Sequence, residues 1–365
     1  MATMRSSILR EFTKKNPILR KVGLSKQSTN IAPSKKANAH LAIAPIVIRS
    51  ELMRDFEADV LLRRHPEITN EWQPPPCVTY GIPNWQTEFN NEETFEHQVF
   101  VPVIQIPSNA GLVKLGDDKT RNRGNDYDLR NKHAKMVEKT DLKPDPLGIH
   151  IGRGSKSQFR TIGPNYRSDW GLYSTLYNRN THENSDEITE CFNLLPADSK
   201  TSESFKSEGL ADTSMPTNSY WDPVRQVIRY AKFAGPSRRD FTWINTDEEL
   251  TVIKIQYHDK DTTSSAVDPP QLSQEQQPTS TDVGPVQPDT CSIQYKVIKW
   301  EAYWTDAHWA SWNERKIPGP MTQRLGVMWL CWKAAFGDDD DLDDPPSGGT
   351  RSRSLAIRTG GTGNT

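Results

Sequence analysis

The sequence predicts an α+β fold that is rich in antiparallel sheet, with a few short helices, long loops and disordered termini. Two segments, 250–257 and 293–300, alternate apolar and polar residues as half-buried strands do. Two others, after Asp222-Pro223 and over 322–336, space their apolar residues as amphipathic helices do. The chain also holds 26 prolines, which disfavour long uninterrupted helices. A jelly-roll-like two-sheet sandwich is one arrangement that these strands would allow.

The two alternating segments are predicted to pair as a hairpin. Ile253, Ile255 and Tyr257 share one face of the first strand. Residues 259–290, between the two strands, are rich in Pro, Gln, Ser, Thr and Asp and contain no aromatic residue. We expect a disordered insertion there, because the entropy cost of closing a loop grows only slowly with its length.

The remaining elements are predicted from shorter patterns. Ser50 is a candidate cap for a helix over 51–64 that ends at His65-Pro66. The helix after Asp222 is expected to have Asp222 as its cap and Pro223 at its first position. Further strands are predicted at 98–106 (with Pro102 at an edge or bulge), 148–151, 158–162 and 170–177.

Charge and composition divide the chain into three parts. Residues 1–50 hold ten Lys or Arg and a single acid, Glu11, so residues 1–40 are predicted to form a basic disordered arm. Residues 41–337 are predicted to form a single body that carries the insertion. Residues 338–344 contain six Asp and open a tail, 338–365, that continues Gly-, Ser- and Arg-rich and is expected to be disordered.

Six of the eleven tryptophans lie between 300 and 332. A strand that ends at Trp300 and a helix that carries Trp329 and Trp332 would pack through these rings as a corner of the core. The alternative is a stacking platform for nucleic-acid bases, which requires two of Trp304, Trp309 and Trp312 to be exposed side by side.

The segment 148–157 resembles a phosphate-binding loop only in part. It lacks the spacing of both the P-loop and the dinucleotide motif, because Arg153 and Ser157 stand where glycines are required. Its glycines, with Arg153 and Lys156, would still let the backbone approach an anion. The other interpretation is an ordinary basic turn between strands.

No catalytic residue, metal ligand or cofactor is predicted. Glu88, Glu92, Glu93 and Glu96 offer paired carboxylates, but a solvated helix face has the same appearance. His182, Asp186 and Glu190 would share a face of a helix, without a second histidine to complete a zinc site. The four cysteines are widely spaced and favour a reducing compartment. No apolar run reaches the length of a membrane span.

These patterns predict a non-enzymatic structural protein that associates with nucleic acid, of the viral capsid or movement type, and that self-associates. The alternative is an intracellular regulatory protein that recruits partners through its acidic tail and Pro/Gln-rich insertion. The expected location is cytoplasm, nucleus or virion, with mitochondrial import as a lesser alternative. The nucleic acid, DNA or RNA, would contact cations of the arm and of the 148–157 segment through its phosphates. These cations are Arg5, Arg10, Lys14, Lys15, Arg20, Lys21, Lys26, Lys35, Lys36, Arg153 and Lys156.

Overall fold

A seven-stranded mixed sheet forms the centre of the protein. The computed structural model describes residues 6–22, 47–48, 56–76, 88–123, 149–154, 168–177, 188–211, 221–234, 240–258 and 290–337. The strands are β1 (Ser6–Ser7), β2 (Arg20–Lys21), β3 (Val47–Ile48), β4 (Glu71–Trp72), β5 (Glu88–Phe89), β6 (Ile149–Arg153), β7 (Trp170–Tyr177), β8 (Ile188–Ser199), β9 (Phe241–Asn245), β10 (Glu249–His258) and β11 (Thr290–Lys299).

The order of strands in the large sheet is β3-β11-β10-β9-β8-β7-β6. Neighbours are antiparallel except β3 with β11 and β8 with β9. The small strands pair separately, β1 with β4 and β2 with β5. The α+β class is therefore confirmed. The jelly-roll-like sandwich is not found in the described part of the chain. There, strand β3 and strands β6 to β11 form one sheet rather than two facing sheets.

The helices lie on both faces of this sheet. They are α1 (Ile8–Phe12), α2 (Ala58–Arg64), α3 (Glu92–Phe95), α4 (Ile106–Arg123), α5 (Asp222–Phe233), α6 (Asp306–Arg315) and α7 (Gln323–Phe336). A π-helical segment, Glu96–Gln105, joins α3 to α4. Short 3₁₀ turns lie at Pro66–Thr69 and Ser207–Ala211.

Two hydrophobic cores result, because successive residues of a strand point to opposite faces. In β10, Leu250 and Val252 join the core that contains α1, α4 and α7. Ile253 and Ile255 of the same strand join the other core, which α5 covers. The predicted hairpin is confirmed, since β10 and β11 pair from Glu249–Lys299 to His258–Thr290. The insertion predicted over 259–290 lies outside the described residues except for Thr290, which begins β11.

The predicted helices are present with small shifts. α7 is stopped by Gly337, as expected, and the Thr322 side chain caps its first turn. The helix after Trp221 begins at Asp222, and Trp221 rather than Asp222 holds the cap position. α2 covers the second half of the helix predicted over 51–64 and ends at His65. β6 and β7 confirm the strands expected at 148–151 and 170–177, whereas 158–162 lies outside the described residues.

The strand predicted over 98–106 is wrong, because these residues are helical. Val99, Phe100, Val103 and Ile104 are all buried, on one side of the helix. Pro102 has no N–H to donate, and the Ile106 N–H reaches back five residues to the carbonyl of Val101. The wider π-helical turn therefore accommodates the proline without ending the helix.

This long helix is also the one described element that meets a length and composition test for a membrane span. The span tested is Glu92–Arg121, and 56% of its most apolar window is buried inside the fold. Core helices of globular proteins pass the same test, so the finding is weak evidence for a membrane span.

The predicted disordered arm requires a correction over residues 6–22, which are folded onto the body. Ile8, Leu9 and Phe12 are buried in the larger core. The carbonyl of Phe12 accepts a hydrogen bond of 2.7 Å from the Thr322 hydroxyl. The Trp304 N–H donates to the carbonyl of Thr13 at 2.9 Å. This part of the arm is therefore a structural element rather than a free basic tail.

The tryptophan-rich segment forms a corner of the core, as predicted. Trp300, Trp304, Trp329 and Trp332 are buried. The two remaining tryptophans, Trp309 and Trp312 on α6, are partly buried and pack against Trp304. The stacking-platform alternative therefore retains only the partly exposed rings of α6.

Helix α4 closes the edge of the sheet at β6. The Asn109 side chain accepts from the Ile151 N–H at 2.7 Å and donates to the Ile151 carbonyl at 3.1 Å. The Gln105 amide donates to the same carbonyl at 2.8 Å. These amides occupy backbone groups that another strand would otherwise use.

Candidate active site

Four carboxylates and a lysine meet where β7 begins and β8 ends. The two strands are antiparallel, and Trp170 is paired with Ala197. Asp169 therefore lies beside Asp198, and Lys200 follows two residues later. β9 runs parallel to β8, so both strands end on the same side of the sheet, at Asn245 and Ser199.

The beginning of the long helix supplies the other two carboxylates, Glu92 and Glu96. A capping box between Asn91 and Thr94 fixes the first turn of α3. Glu92 and Glu96 are four residues apart and therefore share a helix face. One carboxylate oxygen from each of Glu92, Glu96 and Asp169 lies within 4.8 Å of the others. We refer to Glu92, Glu96, Asp169, Asp198 and Lys200 as the carboxylate–lysine site.

The Lys200 ammonium is at the centre of this site. Its Nζ lies 2.9 Å from Asp198 Oδ2, 3.3 Å from Glu92 Oε1 and 3.5 Å from Asp169 Oδ2. It also donates to the carbonyl of Ser199 at 2.9 Å. The side chain of Asp198 is 0% exposed, whereas those of Glu92 and Asp169 are 36% and 30% exposed. The site is thus buried at Asp198 and open to solvent at Glu92 and Asp169.

Two neighbouring side chains orient the Glu96 carboxylate. The Trp170 indole donates from Nε1 to Glu96 Oε1 at 2.8 Å. The Arg153 guanidinium forms an ion pair with Glu96 Oε2. Trp170 is itself fixed by the Phe100 ring, whose centroid lies 4.6 Å away.

Burial and the closeness of the charged groups shift the pKa values of several side chains in the site. Burial raises the pKa of the Asp198 carboxyl well above its ordinary value, and the neighbouring Asp169 charge adds to the effect. Burial also raises the pKa of Glu92 and of Glu96, with a further contribution from Asp169. Burial acts to lower the pKa of Lys200, but Asp198, Asp169 and Glu92 outweigh it and hold that pKa well above its usual range. Lys200 therefore stays protonated.

The donor set of the site fits a hard divalent cation. Four carboxylates face two cations, Lys200 and Arg153, so a net charge of −2 remains when all six groups are ionised. The Lys200 ammonium lies 2.9 Å from one oxygen of the buried Asp198 and offsets only part of the carboxylate charge. Oxygen-only donor sets suit Mg²⁺ or Mn²⁺ rather than zinc or copper.

The cations predicted to bind nucleic acid are found in several different settings. Lys14 pairs with Glu11, Arg20 lies 3.7 Å from Glu88, and Lys21 lies 2.8 Å from Asp247. Arg153 pairs with Glu96 and is part of the candidate site rather than of an isolated phosphate loop. Arg10 and Lys15 lie over aromatic rings. Arg5, Lys26, Lys35, Lys36 and Lys156 are outside the described residues.

Sequence reasoning missed the site because its parts are far apart in the chain. It considered Glu92 and Glu96 but interpreted them as solvated residues, and it gave no role to Asp169, Asp198 or Lys200. The available signal was an Asp-x-Lys sequence at the end of a strand, which places both side chains on one face. His182 and Asp186 lie outside the described residues, and Glu190 lies in β8 rather than on a helix.

Comparison with protein-family models, with curated proteins and with solved structures finds no match for this chain.

Gly154 lies in close backbone contact with the segment that carries Asp169, so a larger residue at position 154 is expected to destabilise the fold. The Gly154 N–H donates to the Asp169 carbonyl at 3.0 Å, and a Cβ at position 154 would lie 1.7 Å from the Ser168 carbonyl oxygen. We expect Gly154→Ala to lower the free energy of unfolding by about 1–3 kcal/mol, measured by urea denaturation.

Gly116→Ala in α4 is the matched control for this substitution. Among the described residues, no atom outside the helix's own backbone and the two chain neighbours lies within 4 Å of the added methyl group. We therefore expect a gain of about 0.5–1 kcal/mol from the better helix former. Equal effects of the two substitutions would contradict the close-contact interpretation.

Proposed function

We propose that this chain is a divalent-metal-dependent hydrolase that cleaves phosphodiester bonds of a nucleic acid. The observation that carries the proposal is the carboxylate–lysine site, with four carboxylates of net negative charge around a protonated lysine. Mg²⁺ is commonly held by one or two carboxylates together with substrate phosphates. A site of this composition thus suits a ligand that combines a divalent cation with an anionic phosphate.

Glu92, Glu96 and Asp169 would hold the cation, because their oxygens already converge. When bound, it would polarise a phosphoryl oxygen and lower the pKa of a water molecule. Glu96 is held in one orientation by Trp170 and Arg153. Glu92 and Asp169 lie at the solvent side of the site, so an incoming phosphate would approach the bound cation from their side.

Lys200 has the role of an electrostatic stabiliser. Its carboxylate neighbours hold its pKa well above the usual range, so it is not a base that removes a proton. Its ammonium is positioned to interact with negative charge that develops on the phosphate during the reaction. Hydrolysis forms a bond from a water oxygen to phosphorus and breaks one phosphorus–oxygen ester bond. The departing oxygen gains a proton, and the attacking water loses one to solvent.

Calorimetric titration with Mn²⁺ tests the metal site. We expect saturable binding to the wild-type protein and at least tenfold weaker binding to Glu96→Gln and to Asp169→Asn, because each loses a charged oxygen ligand. Glu93→Gln is the matched control, because Glu93 is exposed on the same helical turn but is not among the converging carboxylates. Equal binding by Glu96→Gln and Glu93→Gln would refute the site.

The second candidate function is the one predicted from composition, a non-enzymatic structural protein that associates with nucleic acid and self-associates. Its support is the position of Arg10 and Lys15, which lie on the surface next to the aromatic side chains of Trp309 and Tyr303. Nucleic-acid binding with no turnover in Mg²⁺ or Mn²⁺, together with large particles in light scattering, would favour it over the hydrolase. The regulatory alternative depends on the tail and the insertion, which lie outside the described residues.

A further inference from the structure

A surface next to α6 combines three cations with three aromatic rings. Lys15 Nζ lies 5.7 Å from the centre of the Tyr303 ring, Arg10 Cζ lies 5.6 Å from that of Trp309, and Lys316 Nζ lies 5.4 Å from that of Trp312. The two indoles rest on the buried Trp304, at centroid distances of 4.9 Å and 6.1 Å. We call Arg10, Lys15, Tyr303, Trp309, Trp312 and Lys316 the basic–aromatic face.

Two of these cations, Lys15 and Lys316, differ from several cations of the N-terminal segment in their lack of an acidic partner among the described residues. Within the part of the chain that the structure describes, Lys15 and Lys316 have no carboxylate at ion-pair distance, whereas Lys14, Arg20 and Lys21 each have one. A cation over a ring and without an acidic partner remains able to neutralise a phosphate. Half-buried indoles next to such cations are the components of surfaces that bind single strands, where rings stack on bases.

Lys316 also adopts a backbone conformation that lysine does not favour. It follows α6 with φ 57°, the only positive φ of a non-glycine residue among those described. Glycine is the usual residue at this left-handed position after a helix, and another residue there is mildly strained. The side chain at this position lies over the Trp312 ring, and an unusual backbone conformation is a reason to look for a role of that side chain.

The N-terminal segment connects this face to the carboxylate–lysine site. From Lys15 the chain runs six residues to Lys21, a distance of at most about 21 Å. Pro17 accepts from the Trp300 indole, which fixes the beginning of this path. The end of this path is fixed at Lys21, whose ammonium forms an ion pair with Asp247. In the β2–β5 pair, Lys21 lies opposite Phe89, which is three residues before Glu92 in the chain. Arg20 and Ile18 are exposed along the way, at 73% and 74%.

We propose that the basic–aromatic face binds a single-stranded nucleic acid and directs it along residues 17–22 towards the carboxylate–lysine site. This inference rests on the proposed function for its second half, while the binding itself does not. Trp309 and Trp312 stack on bases, Lys15, Arg10 and Lys316 contact phosphates, and Arg20 contacts the strand as it approaches the site. The face therefore selects single strands, whose bases are available for stacking.

Fluorescence anisotropy with a labelled oligothymidylate tests the face, in EDTA so that no hydrolysis occurs. We expect Trp312→Ala to weaken binding by about tenfold, as for the loss of one stacked base. Lys15→Met should reduce the dependence of log K on log salt concentration by about 0.7. Lys254→Met is the matched control, because Lys254 lies in β10 with its Nζ 5.8 Å from the ring of Phe241 in β9 and is not part of this face.

Lys316→Gly separates binding from folding. Glycine adopts the left-handed conformation freely, so we expect the thermal midpoint to stay the same or rise while oligonucleotide binding weakens. A purely structural cation over Trp312 would give no loss of binding. Wild-type affinity in both Trp312→Ala and Lys316→Gly would overturn the inference.

Two further outcomes distinguish this inference from the proposed function. Oligonucleotide binding that depends on the face, in a protein that neither binds Mn²⁺ nor cleaves DNA, would refute the hydrolase and retain the face. Mn²⁺ binding without any oligonucleotide binding would do the reverse. Competition by polyglutamate as effective as that by oligothymidylate, at equal charge, would assign the face to an acidic polypeptide and overturn our inference.

Discussion

Phe12→Ala is expected to lower the free energy of unfolding by about 3–5 kcal/mol, measured by urea denaturation. The Phe12 ring is fully buried, lies 6.2 Å from the ring of Trp72, and packs against the backbone of α4 at Gly111. Its removal leaves a cavity among groups from α1, α4 and α7 that are held by the rest of the core. A flexible basic arm would give no such effect.

Ile18→Ala is the control for this prediction. Ile18 lies in the same segment and is 74% exposed, so its truncation should change stability by no more than about 0.5 kcal/mol. If Phe12→Ala and Ile18→Ala were equally mild, residues 6–22 would not be part of the folded body in solution.

Lys200→Met is expected to reduce the rate of phosphodiester hydrolysis by about 100- to 1000-fold, the usual effect of removing one group that stabilises a developing anion. The measurement is cleavage of a labelled single-stranded oligonucleotide in Mn²⁺ under single-turnover conditions. The control is Lys206→Met, which removes an exposed lysine six residues later whose ion pair with Glu248 lies at the surface. Unchanged cleavage by Lys200→Met would remove Lys200 from the mechanism.

Lys200→Met also leaves the buried Asp198 carboxyl without its cation, so folding must be checked by circular dichroism. Glu92→Gln provides a second variant that keeps the test decisive. Its side chain is 36% exposed, and its substitution leaves the ion pair between Lys200 and Asp198 in place. We expect Glu92→Gln to fold normally and to lose most of the cleavage activity through weaker metal binding.

The regular elements of this fold could be predicted where the residue pattern had only one interpretation. The alternation in β10 and at the start of β11 predicted the hairpin, and the apolar stripe through Leu325, Met328 and Trp332 predicted α7. The run around Pro102 was ambiguous. Its β-branched residues and proline suggest a strand, whereas the spacing of Val99, Phe100, Val103 and Ile104 also suits a helix face.

Tertiary packing decided the features that local patterns did not. The basic composition of the first 40 residues obscured the spacing of Ile8, Leu9 and Phe12, which forms a small apolar face for the core. The carboxylate–lysine site was harder to foresee, because it joins a helix start, a strand start and a strand end. Only the antiparallel register of β7 and β8 brings Asp169 next to Asp198.

The amide side chain of Asn109 has a consequence for how copies of this protein can associate. This side chain of α4 binds both backbone groups of Ile151 and so takes the place of a neighbouring strand on the outer side of β6. A second chain cannot extend the sheet there without first displacing that amide. Addition of a strand at this edge is therefore disfavoured at Ile151, and an assembly that grew through β6 would first have to release Asn109.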